Sequence, residues 1–166
     1  MMSPEKQLRW DLHFLSLAVS HARMSKDPST RVGAVIVGPD LEIRSVGFNG
    51  FPRGVEDSAE RLEGKTIKYR LMVHAELNAI LAAARIGIPI KGCSLYISAI
   101  DREEIPWGGP PCIRCLVEIA QAGITSIIGQ PKNFIAPRWE EDQGFPSMAS
   151  VIMAEANISY REVGSI

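Results

Sequence analysis

His74-Ala75-Glu76-Leu77-Asn78-Ala79-Ile80-Leu81-Ala82-Ala83-Ala84-Arg85 is the stretch from which the fold reads outward. From Leu77 onward it is strongly helix-forming, and it closes on Gly87 and Pro89, so the helix entrance falls at His74. Residues two apart inside a regular helix point about 200° away from each other. His74 and Glu76 can therefore meet at one spot only if they sit before or within the first turn. Pro111-Cys112-Ile113-Arg114-Cys115 has the same character. Pro111 suits the first position of a second helix, with Cys112 and Cys115 one turn apart on the face that looks back at the first. Two helix N-termini then point at one place, and their positive dipole ends favour thiolate over thiol.

One imidazole and two thiolates are ligands that zinc prefers. His74, Cys112 and Cys115 make three, which leaves a fourth tetrahedral position open, as in catalytic rather than structural sites. A closed structural site needs a fourth His or Cys, and the candidates are Cys93, His13 and His21. Cys93 opens the strand-like Gly92-Cys93-Ser94-Leu95-Tyr96-Ile97 and reads as a core thiol. His13 and His21 fall on an early amphipathic helix and read as surface or boundary residues. Taken singly, Cys-x-x-Cys also reads as a redox pair and His-x-Glu as a chance tripeptide. Taken together, they leave Glu76 as a carboxylate beside an open metal position, where it has no structural duty.

Around these two segments the chain divides into regular elements. Leu8, Leu12, Leu15, Ala18, Val19 and Ala22 recur at helical spacing after Ser3-Pro4-Glu5, which predicts a first helix over 4–24. Val32–Val37 and Ile43–Phe48 read as a hairpin joined at Gly38-Pro39-Asp40. A Gly-rich polar stretch leads to the His74 helix. Beyond it come a strand at 93–98, the Cys112 helix, a strand at 124–128, a helix near 146–157 and a last strand near 158–163. That order implies an α/β fold, a mixed sheet layered with helices, with both metal-bearing helices at one edge.

Length and charge bound the function. The 166 residues, 46% hydrophobic, suffice for one full core, so 1–166 reads as a single domain. With 18 Lys plus Arg against 19 Asp plus Glu, no basic field advertises a nucleic-acid polymer or an anionic membrane, and a small-molecule partner is expected. No apolar run approaches a membrane span, and the N-terminus does not read as a signal sequence. Three cysteines, two of them assigned to metal, leave no disulfide framework, which points to a reducing cytoplasm.

The His-Ala-Glu and Pro-Cys-x-x-Cys elements are similar to the signature of the zinc-dependent cytidine deaminase superfamily. Lys26-Asp27-Pro28-Ser29-Thr30-Arg31-Val32-Gly33-Ala34-Val35-Ile36-Val37, Gly47-Phe48-Asn49-Gly50-Phe51-Pro52-Arg53-Gly54 and Val73–Ile80 resemble successive blocks of the deoxycytidylate (dCMP) deaminases. The resemblance covers most of residues 8–128. It implies a cytidine-deaminase-like three-layer α/β/α fold with a mixed five-stranded sheet. It also implies hydrolytic deamination of deoxycytidylate, or a 5-substituted form of it, to deoxyuridylate or the corresponding product and ammonia.

The resemblance also assigns roles. Zn2+, one per chain, is held by His74, Cys112 and Cys115. Glu76 takes a proton from the attacking water and delivers it to ring N3 and then to departing ammonia, while hydroxide adds at C4. The Ala75 N–H receives the pyrimidine O2, and Asn49 bonds the sugar, although Asn49-Gly50 also reads as a turn dipeptide. Lys26, Arg31 and Arg53 flank the blocks as cations for the phosphate, or equally as solvated surface charges. A homo-oligomer, with a hexamer as first guess, and Mg2+ accompanying a nucleotide effector are further implications.

Two departures stand out. Family members usually pass from strand to a short Thr-x-x-Pro-Cys turn, whereas here an insertion runs from Ser98 to Pro110. Within it, Trp107 offers a face for stacking on the base, or for packing on the core or a neighbouring subunit. Gly129-Gln130 stands where the family tends to carry a Tyr, and Pro137-Arg138-Trp139-Glu140 does not follow the family pattern, which sets family-type regulation by deoxynucleoside triphosphates apart. Other readings are a deaminase of a free base or nucleoside such as cytosine, cytidine or guanine, a riboflavin-pathway deaminase, and a non-enzymatic zinc- or nucleotide-binding module. Gly47–Gly54 argues against the first, the close cysteine spacing against the second, and Glu76 against the third.

Overall fold

Alternation along the strands sorts the core into two layers. The computed structural model describes residues 2–131 and 148–164. Strand β1 (Arg31–Val37) turns Ala34 and Ile36 to one face and Val35 and Val37 to the other. In β3 (Ser94–Ile100), Leu95 and Ile97 share the first face and Tyr96 the second. Strand β5 (Ser126–Gly129) repeats the pattern with Ile127 and Ile128. All eight of the aliphatic residues named in these three strands are at most 8% exposed, as expected for central strands covered on both sides.

The second face is covered by α1 (Pro4–Ala22), which Ser3 caps by accepting from the Lys6 N–H and which buries Phe14, Leu15 and Ala18. The first face is covered by α4 (Ala75–Ile86), α5 (Ile113–Gln121) and α6 (Met148–Glu155) through Ala75, Ala79, Leu116, Ile119 and Ala149. With β2 (Ile43–Phe48) and β6 (Ser159–Glu162) the strand order is β2-β1-β3-β5-β6. The β1–β2 and β1–β3 pairs are antiparallel, and β3–β5 and β5–β6 are parallel. This is the three-layer α/β/α arrangement with a mixed sheet.

Several boundaries differ from the sequence reading. The first helix stops at Ala22, not 24, because Arg23 already lies in a turn bonded back to Val19. The third strand runs on to Ile100, since Ser98, Ala99 and Ile100 pair with Gly33, Val32 and Arg31. The insertion therefore begins at Asp101 rather than Ser98. Inside it Pro106 and Trp107 form a two-residue strand, β4, antiparallel to the end of β3. The fourth main strand is Ser126–Gly129, later than the 124–128 expected. Two short helices, α2 (Ala59–Glu63) and α3 (Lys65–Leu71), occupy the stretch read as polar and Gly-rich. Pro137–Glu140 and the start of the 146–157 helix lie outside the described residues.

Candidate active site at two helix entrances

His74 is the N-cap of α4, in extended backbone, and Cys112 is the N-cap of α5. Pro111 thus precedes the cap instead of starting the helix, a two-residue correction that puts Cys112 at the helix mouth and Cys115 in its first turn. Helix α4 starts beside the C-terminal end of β2, where Gly50 bridges Val73, and α5 follows the end of β3 by way of the insertion. Gly47 of β2 lets α4 come close. A Cβ there would lie 2.4 Å from the Ala75 carbonyl oxygen and 2.5 Å from the Ala79 nitrogen, so any larger residue would push the His74–Glu76 turn off the sheet.

His74 Nδ1 lies 3.5 Å from Cys112 Sγ and 3.3 Å from Cys115 Sγ, and the three ligand atoms are all within 4.8 Å of one another. Zinc bonds of about 2.1 Å to nitrogen and 2.3 Å to sulfur in a tetrahedron put nitrogen and sulfur about 3.6 Å apart. The observed triangle has that size and donor chemistry, so these residues fit the metal. Exposure grades across it, from an exposed His74 to a buried Cys115, so the site opens on the imidazole side.

The electrostatics suit a proton carrier next to metal-binding sulfur. Burial pushes the Glu76 carboxyl above its usual range, and its own backbone N–H and the His74 charge offset this only in part. The Glu76 side chain is 4% exposed and hydrogen-bonded to Cys115. The Cys112 thiol is held down to about 4, first by the hydrogen bond from Cys115 and then by His74, against its partial burial. Cys115 is pushed up by the same bond and by burial. His74 is raised, chiefly by its bond to Cys112. A thiolate, an imidazole and a thiol that a metal would deprotonate are thereby gathered against one carboxyl.

The comparisons with known proteins agree with this geometry. The model of the cytidine and deoxycytidylate deaminase zinc-binding region matches residues 8–130. The chain belongs to the cytidine and deoxycytidylate deaminase family. It is 40% identical over 135 residues to an uncharacterized deaminase in the luxG 3′ region of Aliivibrio fischeri, covering 80% of this chain and 81% of that one. It is 32% identical over 160 residues to the deoxycytidylate deaminase of Mus musculus, covering 93% and 80%. In fold it is similar to the dCMP deaminase of the cyanophage S-TIM5 in complex with dCMP and dUMP, with a TM-score of 0.70 at 22% identity over 98% of this chain and 99% of that chain.

The remaining sequence-derived candidates of this deaminase are distributed around that centre. Ala75 is the first residue of α4, where N–H groups have no intrahelical acceptor. Asn49 is buried at the end of β2. Its Oδ1 accepts from the Val32 N–H at 2.8 Å, and its Nδ2 donates to the Thr30 carbonyl at 2.9 Å. It also neighbours the metal-bearing helix, because Gly50 bridges Val73 and Asn78 donates to the Phe48 carbonyl.

Lys26 and Arg31 line one cleft of about 370 Å³ together with Ser29, Asp101 and Arg102, and each is engaged by a carboxylate. Lys26 pairs with Asp57 at 3.0 Å and Arg31 with Glu104 at 3.0 Å. Arg53 is exposed on the segment after β2. Trp107 is half-buried in β4. Cys93 is buried in the core, His13 lies exposed on α1, and His21 bonds back to the Leu17 carbonyl, all away from the ligand cluster. Sequence reasoning missed the buried partners Asp27 and Lys68. Asp27-Pro28-Ser29 carries an Asx-turn signal that marks the first, whereas Lys68 gives none.

Proposed function

We propose that this deaminase hydrolyses the C4 amino group of deoxycytidylate, or of a 5-substituted form, releasing ammonia and deoxyuridylate or its 5-substituted counterpart. The observation that carries the reading is the buried Glu76 carboxyl packed against the His74, Cys112 and Cys115 donor triangle. Bound by those three side chains, one zinc per chain supplies a water whose pKa is lowered toward neutrality. Glu76 accepts one proton of the water as the C4–O bond forms and hands it to ring N3, then carries the proton of the new C4 hydroxyl to the amino nitrogen as the C4–N bond breaks and the C4 carbonyl forms. Its raised pKa favours uptake of the proton that it later releases.

The Ala75 N–H donates to the pyrimidine O2 from the positive end of α4. Asn49 Oδ1 keeps a second lone pair for a sugar hydroxyl beyond the one given to Val32. For the phosphate, Lys26, Arg31 and Arg53 are the nearby cations. Their present partners, Asp57 and Glu104, are exposed carboxylates whose ion pairs are worth about 0–1 kcal/mol, so a dianion can displace them. Trp107, on the inserted segment, is the group for stacking on the base. The same reading takes 1–166 as one domain acting in the cytoplasm as a homo-oligomer, hexamer first, with Mg2+ entering only alongside a nucleotide effector. Among the described residues no helix is long and apolar enough to cross a membrane.

Ammonia release measured against cytosine, deoxycytidine, deoxycytidylate and the 5-methyl and 5-hydroxymethyl nucleotides tests the proposal. A kcat/KM for a deoxycytidylate form well above that for deoxycytidine is expected, because donors built for a dianion are left unpaired by a nucleoside. Equal values move the protein to the nucleoside class.

A further inference from the structure

The chemistry above makes no use of the ion pair between Lys68 of α3 and Asp27. Lys68 Nζ lies 2.6 Å from Asp27 Oδ1, with the two side chains only 9% and 5% exposed. The same ammonium donates to Ser29 Oγ at 3.2 Å, and the same carboxylate oxygen accepts the Ser29 and Thr30 N–H groups at 2.7 and 3.1 Å. Lys68 therefore fixes the turn that supplies the Thr30 carbonyl to Asn49 Nδ2. A second link runs through Ser25, whose Oγ accepts from the Asp27 N–H and donates to the Asn49 carbonyl at 2.8 Å. On its other side, the Lys68 carbonyl accepts the Met72 N–H, and Val73 and Gly50 exchange both N–H···O bonds, at 2.9 and 3.1 Å, one residue before His74.

We propose that Lys68 is a positioning residue, whose buried ammonium, clamped on Asp27, holds Asn49 in place and sets the approach of the chain into His74. Three segments distant in sequence, 25–32, 49–50 and 68–74, meet at this one pair. Taking two charges out of water is costly. Replacing such a pair by apolar groups is often neutral or stabilising, so the pair is poorly explained by stability and well explained by geometry. The functional part of the inference rests on Asn49 meeting the sugar as proposed above.

The test compares Lys68→Met, which keeps the stem and removes the charge, with Lys68→Arg, at a temperature where circular dichroism and zinc content match the wild type. Should Lys68→Met fail to fold around the stranded carboxylate, Asp27→Asn/Lys68→Met takes its place. The expected result is a KM for deoxycytidylate raised about tenfold, the scale of one lost hydrogen bond, with kcat within about twofold and most of the loss recovered by Arg.

Hydrogen exchange at the Val32, Gly50 and Val73 amides should quicken in the Met variant, while Ile127 and Ile128 in β5 keep their protection. Unaltered protection at those three amides in a folded variant overturns the inference, as does an unaltered KM. A wild type that leaves deoxycytidylate untouched overturns the functional reading instead, and the exchange measurement still decides whether Lys68 positions this corner.

Discussion

Glu76 is the side chain in which burial, charge and geometry converge most clearly. Its carboxyl is raised by desolvation, lies against Cys115, and sits in the first turn of a helix whose cap is a metal donor. Glu76→Gln keeps the shape and the zinc donors, so metal content and melting temperature should stay near wild type while turnover falls on the order of 10²–10⁴-fold, the range for removing a general acid–base group. Near-normal turnover in that variant would exclude Glu76 as the proton carrier. The three donors and this carboxyl were legible in the sequence because each is chemically unusual for its spacing. The engagement of Arg31 by Glu104 and of Lys26 by Asp57 was not, since both pairings span long sequence separations and leave no local pattern.

Among the elements, the ones visible in advance carry periodic apolar residues or strong punctuation. Helix α4 ends where Gly87 was expected to end it, with the glycine in the left-handed region at φ 76°. Helices α2 and α3 escaped notice because each is at most seven residues long, neither starts with a side-chain cap bond, and Gly64 separates them. Strand β4 escaped because two residues in a Pro- and Gly-rich run show no alternation, and only its pairing with Ala99 and Ile100 defines it.

That pairing ties the insertion to the sheet through Pro106 and Trp107. Gln130 is part of the tie. It accepts from Ser98, and its backbone lies where a Cβ on Gly108 would come within 2.3 Å. At this scale the contact between β2 and α4 gives the sharpest test. Gly47→Ala, which drives a methyl into the backbone of α4, should destabilise the fold by about 1–3 kcal/mol and release zinc faster to a chelator. Wild-type melting and zinc retention would show that the two elements are not in the close contact described.

The molecule as a whole is closed on its far face by Asp11 of α1, which is 1% exposed and joins the first helix to the last strand. Burial alone would raise its carboxyl. Hydrogen bonds from Arg161, Tyr96 and Gln7, and then the Arg161 charge, outweigh that and hold it below the usual range. A carboxyl lowered in the folded state contributes stability that is fully present above its unfolded value, near pH 4, and is lost as pH falls through the folded value. Acid unfolding of the wild type below pH 4 should therefore be steeper than that of Asp11→Asn, which is expected to be less stable by about 2 kcal/mol at neutral pH. Parallel acid profiles for the two proteins would remove Asp11 from the linkage.

This frame brings two helix entrances, from distant parts of the chain, to one sheet edge, and the central claim is that the edge deaminates a pyrimidine nucleotide with zinc. The most direct measurement is ammonia release from deoxycytidylate before zinc removal by a chelator, after it, and after zinc is restored. Turnover that disappears with the metal and returns with it is the predicted result. No ammonia from any deoxycytidylate form with one zinc bound per chain, or a rate indifferent to the metal, would contradict the account.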